Sequence, residues 1–246
     1  MALVTGGTGG IGSAVCRLLA AQGSDIAFTW RSDRNATDAL IDELEALGVM
    51  VVTAQVDCTD AEGLATAISG IEDLGGVHTL VHAVGPPVPQ THLSRIEPSL
   101  MRHHLDTEVM AFFNAVVPSL PTLRMHQGSI VAVTSAATDR YAVRDGLSAA
   151  PKGAIEALVR GLAAEEGRFG VRANAVGPGM LADGMAQTLI DDGHYSDEAL
   201  AVITENIPLR RFGTAADVAA AVAFLASPAA NYISGQILNI DGGYTA

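Results

Sequence analysis

Cysteine, aromatic residues and long apolar runs are all scarce in this chain. Its two cysteines, Cys16 and Cys58, lie in apolar or alternating runs and make neither a disulfide framework nor a zinc cluster. Aromatic residues make up 4% of the chain, which argues against a stacking platform for single-stranded nucleic acid. No stretch approaches the roughly 18 consecutive apolar residues of a membrane helix. We therefore expect a protein of a reducing compartment without a membrane span.

Basic residues are also few, at 14 lysines and arginines against 27 acidic residues, for a net charge of −13. Such a surface repels phosphate backbones and anionic lipids, so we predict no nucleic-acid partner and no membrane partner. The chain opens on a strand-like segment rather than a basic segment followed by a long apolar run. We therefore expect no secretory signal and a cytoplasmic protein.

The 246 residues, 49% of them hydrophobic, are enough to bury a full core, and nothing resembles a linker, so we predict one domain over residues 1–246. Short β-rich runs alternate with helical segments, which indicates βαβ units around a parallel sheet with helices on both faces. The predicted strands are Ala2–Thr5, Asp25–Trp30, Val49–Gln55, Thr79–Ala83, Ser129–Thr134, Val171–Val176 and Gln236–Ile240. The predicted helices lie near residues 11–22, 33–47, 59–74, 98–115, 147–168 and 214–226.

Two loops are long for such a fold, Gly85–Pro98 and Gly177 to about Asp197, and both follow predicted strands. The carboxyl ends of parallel strands share one edge of the sheet, which is where open α/β folds bind ligands. We therefore predict that residues around 177–213 form a substrate-loop insertion at that edge.

A glycine-rich turn follows the first predicted strand and opens the first predicted helix. Glycines let the backbone approach a pyrophosphate closely, and the free N–H groups of a helix start attract the anion. The residues predicted to bind a dinucleotide here are Gly6, Thr8, Gly9, Gly10, Ile11 and Gly12. The same sequence also suits a flexible strand-to-helix turn.

The spacing Thr-Gly-x-x-x-Gly-Ile-Gly resembles the short-chain dehydrogenase/reductase family, and within it the 3-oxoacyl-carrier-protein reductase-like members. Further matches follow in the family's order at Val171–Gly179, Pro208–Gly213, Phe224–Ser227, Ile233–Gln236 and Asp241–Gly243. The resemblance implies a Rossmann-type doubly wound fold with a seven-stranded parallel sheet, a small-molecule substrate, and a homodimer or homotetramer. It also implies that Asp57 contacts the adenine and that the Pro-Gly turn covers the nicotinamide. The full set of cofactor contacts that it implies is Asp57, Cys58, Ala83, Gly85, Lys152, Pro178, Gly179 and Asp183.

The end of the second strand bears on the choice of cofactor. An acidic residue there binds the ribose 2′-hydroxyl of NAD, whereas an arginine accommodates the 2′-phosphate of NADP. The strand ends in Arg31 and Ser32, a guanidinium fork and a hydroxyl. We therefore predict NADP(H) in preference to NAD(H). Arg31 as a solvated loop residue is the alternative, and the neighbouring Asp33 would weaken phosphate binding.

The family's chemistry rests on Ser, Tyr and Lys, with an Asn on an earlier helix. Ser135, at the end of the fifth strand, and Lys152 match the family serine and lysine. The position four residues before the lysine, tyrosine in the family, is Ser148. This spacing keeps both side chains on one helix face, but an alkyl alcohol is a far weaker acid than a phenol of pKa about 10. Tyr141 lies 11 positions before the lysine, ahead of the predicted helix, and its alternative role requires it to swing in from the preceding loop.

Other departures from the family pattern surround the same cavity. Glu108 takes the place of the asparagine, the segment after the fourth strand reads His82-Ala83-Val84-Gly85, and Asp183 stands where a threonine is usual. A carboxyl in a partly dry pocket has its pKa raised and can act as a general acid, which makes Glu108 a catalytic candidate with Ser135, Ser148 and Lys152. The alternative is a space-filling ion pair of Glu108 with Lys152 or with His104, one turn earlier.

The histidines His92, His103 and His194 lack partners at metal-ligand spacing, so we predict loop or surface residues and no metal site. Three functions stay open. The first is an NADP(H)-dependent carbonyl reductase or alcohol dehydrogenase with a non-standard proton donor. The second is a non-redox dehydratase, isomerase or cyclase that keeps the nucleotide as scaffold, and the third is a nucleotide-binding protein without catalysis.

Overall fold

A computed structural model describes residues 1–183 and 197–246 of the chain. Seven strands form one parallel sheet in the order β3-β2-β1-β4-β5-β6-β7. Their bounds are β1 Ala2–Thr5, β2 Ile26–Trp30, β3 Val51–Gln55, β4 Thr79–His82, β5 Ser129–Val133, β6 Arg172–Pro178 and β7 Ile237–Ile240. The predicted Rossmann-type fold is confirmed, and no strand bound differs from its prediction by more than about two residues.

The helices alternate with the strands and cover both faces of the sheet. Those of the described ranges are α1 Gly10–Ala21, α2 Arg34–Glu45, α3 Ala61–Glu72, α4 Pro98–Leu105, α5 Ala111–His126, α6 Gly146–Glu166, α7 Asp197–Glu205 and α8 Ala215–Ala226. None of these helices combines the length and apolar character that crossing a membrane requires.

The core is divided between the two faces because successive strand residues point in opposite directions. On one face, Val4 and Phe28 belong to a buried cluster with α1, α2 and α8. Val15 of α1 and Val218 of α8 lie in that cluster, and these two helices pack together more extensively than any other pair of elements. On the opposite face, Leu3 belongs to the cluster that packs against α3, α5 and α6.

A π-helical turn, Asp106–Met110, joins α4 to α5, so helical structure continues from residue 98 to residue 126. The prediction that this helix ends near residue 115 is wrong. Pro118 and Pro121 ordinarily break a helix, but α5 contains both and ends at His126, before Gln127 at a φ of 50°. The widened turn carries Glu108 into the interior.

The predicted loop after β6 lies only partly within the described residues. Its first residues, up to Asp183, are described, and the chain resumes with α7, a helix that the sequence patterns did not predict. Residues 184–196, including His194, lie outside the described residues.

The carboxyl ends of all seven strands share one edge because the sheet is parallel throughout. Most of the predicted site residues lie at this edge or in the segments that leave it. They are the loop 6–12 after β1, Arg31 after β2, Asp57 after β3, the segment 83–85 after β4, Ser135 after β5 and residues 178–179 at the end of β6.

Candidate active site

The glycine loop after β1 is packed so tightly that its backbone tolerates no side chain at Gly6 or Gly12. Gly6 has a φ of 73°, and a Cβ on it would lie 2.9 Å from the Ala83 carbonyl oxygen. A Cβ on Gly12 would lie 2.1 Å from the Gly6 carbonyl oxygen. The loop therefore requires glycine at both positions, and it brings the start of α1 close to the segment after β4.

The start of α1 is left open to a ligand. Gly9 is the N-cap residue, so no side chain caps the first N–H groups, and the first turn holds no acidic residue. Uncapped N–H groups and the helix dipole make an anion site. Together with the glycine packing, they fit the pyrophosphate of a dinucleotide. Thr8 is half-buried beside this loop, and Gly9 and Gly10 are exposed.

Beyond β2, the predicted cofactor residues Arg31 and Ser32 are both exposed. The guanidinium of Arg31 lies 4.0 Å from an Asp57 carboxylate oxygen and keeps 70% of its side-chain surface exposed, so it is free to move toward a ligand. Asp33 accepts a hydrogen bond from the Ala36 N–H at 2.9 Å and caps α2. Its carboxylate is thus engaged with the helix next to the predicted phosphate position.

Asp57 and Cys58, after β3, have different environments. The Thr59 N–H and hydroxyl donate to one Asp57 oxygen at 2.9 and 2.8 Å, and these bonds lower the pKa of that carboxyl. The Cys58 thiol is buried against the Thr29 hydroxyl at 3.6 Å, and burial raises its pKa. Its sulfur is unreactive, and its carbonyl oxygen accepts from Asn114 at 3.1 Å.

Lys152 and Glu108 form the central contact of the site, a buried ion pair between α6 and the π-helical turn. The Glu108 side chain is fully buried and that of Lys152 is 14% exposed. Burial raises the pKa of Glu108, and the nearby Lys152 opposes that rise. The second carboxylate oxygen, Oε1, has no hydrogen-bond partner among the described residues. The carboxyl therefore keeps one oxygen for a further interaction.

The cleft side of this pair faces the segment after β4. The Lys152 Nζ lies 3.8 Å from the position a Cβ on Gly85 would take. The Ala83 N–H donates to the Thr5 carbonyl oxygen at 3.1 Å, which holds this segment beside β1. The predicted cofactor residues Ala83, Gly85 and Lys152 are therefore close together.

Ser148 lies in the first turn of α6 and is buried, four residues before Lys152. Its N–H donates to the Asp145 carbonyl oxygen at 3.0 Å. Ser135, half-buried two residues after the end of β5, accepts from the Ala137 N–H at 3.1 Å. Tyr141 is exposed, with its hydroxyl 3.2 Å from where a Cβ on Gly146 would lie.

Two buried histidines flank the ion pair. His82 shares a hydrogen bond of 2.9 Å between its Nδ1 and the Thr5 hydroxyl, and burial lowers its pKa to about 3. It is therefore neutral at physiological pH and has no imidazolium proton to donate. His104 is buried with a lowered pKa, burial again being the main cause. No hydrogen bond within the described ranges joins His104 to Glu108, so of the two alternative ion-pair partners the structure shows Lys152.

The remaining predicted residues lie around the end of β6. The Gly179 N–H donates to the Ile240 carbonyl oxygen at 3.0 Å, and Pro178 pairs with Ile240 at the sheet edge. The two oxygens of Asp183 accept from the Ala215 N–H at 3.0 and 2.8 Å. Asp183 thus stabilises the start of α8, and its predicted contact with a cofactor stays a prediction.

No group of three His, Cys, Asp or Glu residues that could hold a metal ion occurs in the ranges 1–183 and 197–246. His92 and His103 are both exposed.

The sequence matches the family model described as enoyl-(acyl carrier protein) reductase over residues 6–245. The chain belongs to the short-chain dehydrogenase/reductase family. Among curated relatives, the 3-oxoacyl-(acyl-carrier-protein) reductase FabG of Staphylococcus epidermidis is 31% identical over 98% of this chain and 97% of its own length. The acetoacetyl-CoA reductase of Synechocystis is 34% identical over 98% of this chain and 95% of its own.

Solved structures of other proteins have the same fold. A blue fluorescent protein from a metagenomic library, in complex with NADPH, has a TM-score of 0.90 and 33% identity over 100% of this chain and 97% of its own. The carveol dehydrogenase of Mycobacterium avium, in complex with NAD, has a TM-score of 0.90 and 27% identity over 99% of this chain and 96% of its own. Both cofactors therefore occur on this fold.

Sequence reasoning missed one titratable neighbour of the site, Asp145, at the start of α6. Burial raises the pKa of its carboxyl, which accepts from Gln90 at 3.3 Å. An aspartate just before a predicted helix is a start signal and could have drawn attention to it. The π-helical turn that carries Glu108 has no such sequence signal.

Proposed function

We propose that the protein is a nicotinamide-dependent oxidoreductase that interconverts a small carbonyl compound and its alcohol. We further propose NADP(H) as the preferred cofactor and a proton donor other than tyrosine. The observation that carries the proposal is the Lys152–Glu108 pair facing the glycine-lined edge of a short-chain dehydrogenase/reductase fold. The predicted homodimer or homotetramer stays a prediction.

The residues for holding the cofactor are those of the open edge. The uncapped start of α1 would hold the pyrophosphate, and Arg31 and Ser32 would hold the 2′-phosphate. Asp57 would contact the adenine, and residues 178–179 would lie at the nicotinamide. When bound, the cofactor supplies or accepts the hydride.

The protein's own residues would hold the proton and transfer it to the substrate. Lys152, 14% exposed, is the member of the pair that reaches the cleft, while the fully buried Glu108 serves as the proton reservoir behind it. The raised pKa of Glu108 lets it hold a proton at higher pH than an exposed carboxyl does. Ser135 and Ser148 would hold the substrate oxygen or a water molecule between it and Lys152.

One observation favours a second candidate, a non-redox acid–base enzyme. A buried carboxyl paired with an amine can remove and return a proton without any hydride transfer. Following nicotinamide absorbance and substrate loss in the same reaction separates the two. Substrate loss without an absorbance change identifies the non-redox enzyme, and equal changes identify the oxidoreductase.

Arg31→Ala is expected to weaken NADP(H) binding by about 1–3 kcal/mol, because a charge-assisted hydrogen bond to the 2′-phosphate is lost. NAD(H) binding should stay unchanged. The measurement is fluorescence titration of both cofactors with both proteins. Arg34→Ala is the matched control, because Arg34 is a nearby exposed arginine that pairs with Asp38 on its own helix. Equal or tighter binding of NAD(H) by the unmodified protein would contradict the preference.

Glu108→Gln is expected to remove the alkaline limb of the reductive pH profile. A carboxyl that supplies protons must be protonated, so activity should fall as pH rises through the raised pKa of Glu108. Glutamine keeps the shape but does not titrate. Asp145→Asn is the second variant to measure, because Asp145 also has a raised pKa. If Asp145→Asn lost the alkaline limb and Glu108→Gln kept it, Asp145 rather than Glu108 would be the proton donor. That result would contradict our proposal.

A further inference from the structure

A second pocket opens between the segment that follows β4 and the turn that precedes α6. Its volume is about 370 Å³. It is lined by Gln90, Thr91, His92, Arg95 and Arg144. None of the comparisons assigns a role to these residues, and they include none of the residues placed in the catalytic or cofactor-binding machinery above.

The pocket is cationic in a strongly acidic protein. The chain has 14 basic residues and a net charge of −13, yet two arginines and a histidine share this pocket, and no carboxylate lines it. Neither Arg95 nor Arg144 forms an ion pair with any carboxylate of the described ranges. Guanidinium groups left without a carboxylate are well suited to bind an anion through two parallel hydrogen bonds.

The polar groups of the pocket are held in place by hydrogen bonds within it. Arg144 has a φ of 76°, a left-handed conformation that non-glycine residues seldom adopt. Its carbonyl oxygen accepts from the Thr91 N–H at 3.2 Å, which fixes the strained turn against the opposite wall. Its Nε donates to His92 Nε2 at 3.3 Å, which joins these two side chains of the pocket lining. Strain held in this way is typical of ligand-binding segments.

The pocket is connected to the candidate active site through the start of α6. Gln90 on the pocket wall donates to the Asp145 carboxylate at 3.3 Å. Asp145 follows Arg144 in the chain, and its carbonyl oxygen accepts from the Ser148 N–H at 3.0 Å. Ser148 shares a helix face with Lys152. Two hydrogen bonds therefore join the pocket wall to the first turn of the helix that carries Ser148 and Lys152.

We propose that this pocket binds the anionic end group of the substrate, a carboxylate or a phosphate, while the reacting carbonyl lies at Lys152. The inference rests on the proposed oxidoreductase function and names its substrate class, an oxo compound with an anionic tail. The 2′-phosphate of the cofactor is a different ligand, since its predicted partner Arg31 follows β2, on the other side of β1 from β4.

The experiment compares matched substrates. Straight-chain oxo acids of increasing length are each paired with their methyl ester, and one keto phosphate is paired with its dephosphorylated form. We expect kcat/KM to be about tenfold to a hundredfold higher for the anionic member, mainly through KM, because a hydrogen bond to a charged group discriminates by that factor. The preferred chain length reports the span from Lys152 to the pocket, and the preferred end group distinguishes carboxylate from phosphate.

Two variants test the pocket itself. Arg95→Gln and Arg144→Asn, in which asparagine tolerates the left-handed backbone, should raise KM for the anionic member about tenfold to a hundredfold and leave the neutral member unchanged. Arg160→Gln, two turns beyond Lys152 on α6, is the control and should change neither. If kcat/KM were equal for both members of every pair and neither variant changed it, the proposed anion-binding role of the pocket would be wrong. The proposed oxidoreductase function would not be affected by that result.

A binding measurement without turnover separates the two proposals. Thermal unfolding is followed as inorganic phosphate or acetate is added to the unmodified protein and to both variants. Stabilisation that disappears in Arg95→Gln and Arg144→Asn, in a protein that reduces none of the oxo compounds, supports the anion pocket and refutes the proposed redox function. Absence of both stabilisation and charge preference refutes the pocket.

Discussion

Ser148→Tyr is expected to raise the rate of reduction of simple ketones and aldehydes by about 10²–10⁴-fold, the usual contribution of a positioned general acid. A phenol has a pKa of about 10, and the Lys152 ammonium on the same helix face would lower it further. The serine hydroxyl is far less acidic, so the unmodified protein should reduce such compounds slowly or not at all. The measurement is steady-state oxidation of NADPH with a panel of generic carbonyls.

The control for this variant is Ser148→Phe, which adds the same ring without the hydroxyl. Ser148 is buried, so both variants place a ring into the same space and both report any effect of crowding. Only the tyrosine should accelerate the reaction. If the unmodified protein already reduced generic carbonyls at ordinary family rates, the serine would not be a chemical deficit.

Lys152→Met is expected to abolish turnover and to destabilise the fold by about 3–5 kcal/mol at neutral pH, because it leaves the Glu108 carboxylate buried without its cation. For a chain of this size, that corresponds to a fall in Tm of roughly 2–4 °C for each kcal/mol. The pKa of Glu108 is raised in the folded protein, and it should rise further when the lysine is removed. The folded state then binds more protons than the unfolded state, so the variant should be most stable at low pH and lose stability as pH rises.

The double variant Lys152→Met with Glu108→Gln should recover most of the stability and none of the activity. Thermal and denaturant unfolding across a pH series measures both variants against the unmodified protein. A pH-independent loss in Lys152→Met, or a double variant no more stable than the single one, would show that the buried charge is not the cause.

Most of the fold could be predicted because its signals are local and repeated. Alternation of β-rich and helical runs located every strand, and the glycine spacing located the start of α1. The end of α5 could not be found in this way. Pro118 and Pro121 are breaker residues in any local pattern, and only packing against the sheet shows that the helix accommodates them.

The pairings among the candidate site residues could not be predicted from the sequence. The resemblance located Ser135, Ser148 and Lys152, yet spacing could not decide whether Glu108 pairs with His104 or with Lys152, which is distant in sequence. The π-helical turn carries Glu108 into the interior, where it pairs with Lys152, and no residue pattern predicts such a turn. The hydrogen bond from Ala215 to Asp183 was likewise invisible, because it joins two segments whose relation depends on the folded sheet.

The packing of α1 against α8 has a consequence for how the chain folds during synthesis. The glycine loop opens α1, near the start of the chain, but that helix is buried against residues translated near its end. Parallel sheets already fold slowly because their pairings are distant in sequence. The part of the α1 surface that packs against α8 therefore stays uncovered until the ribosome has made α8. During that interval, a chaperone can bind the exposed apolar surface of α1.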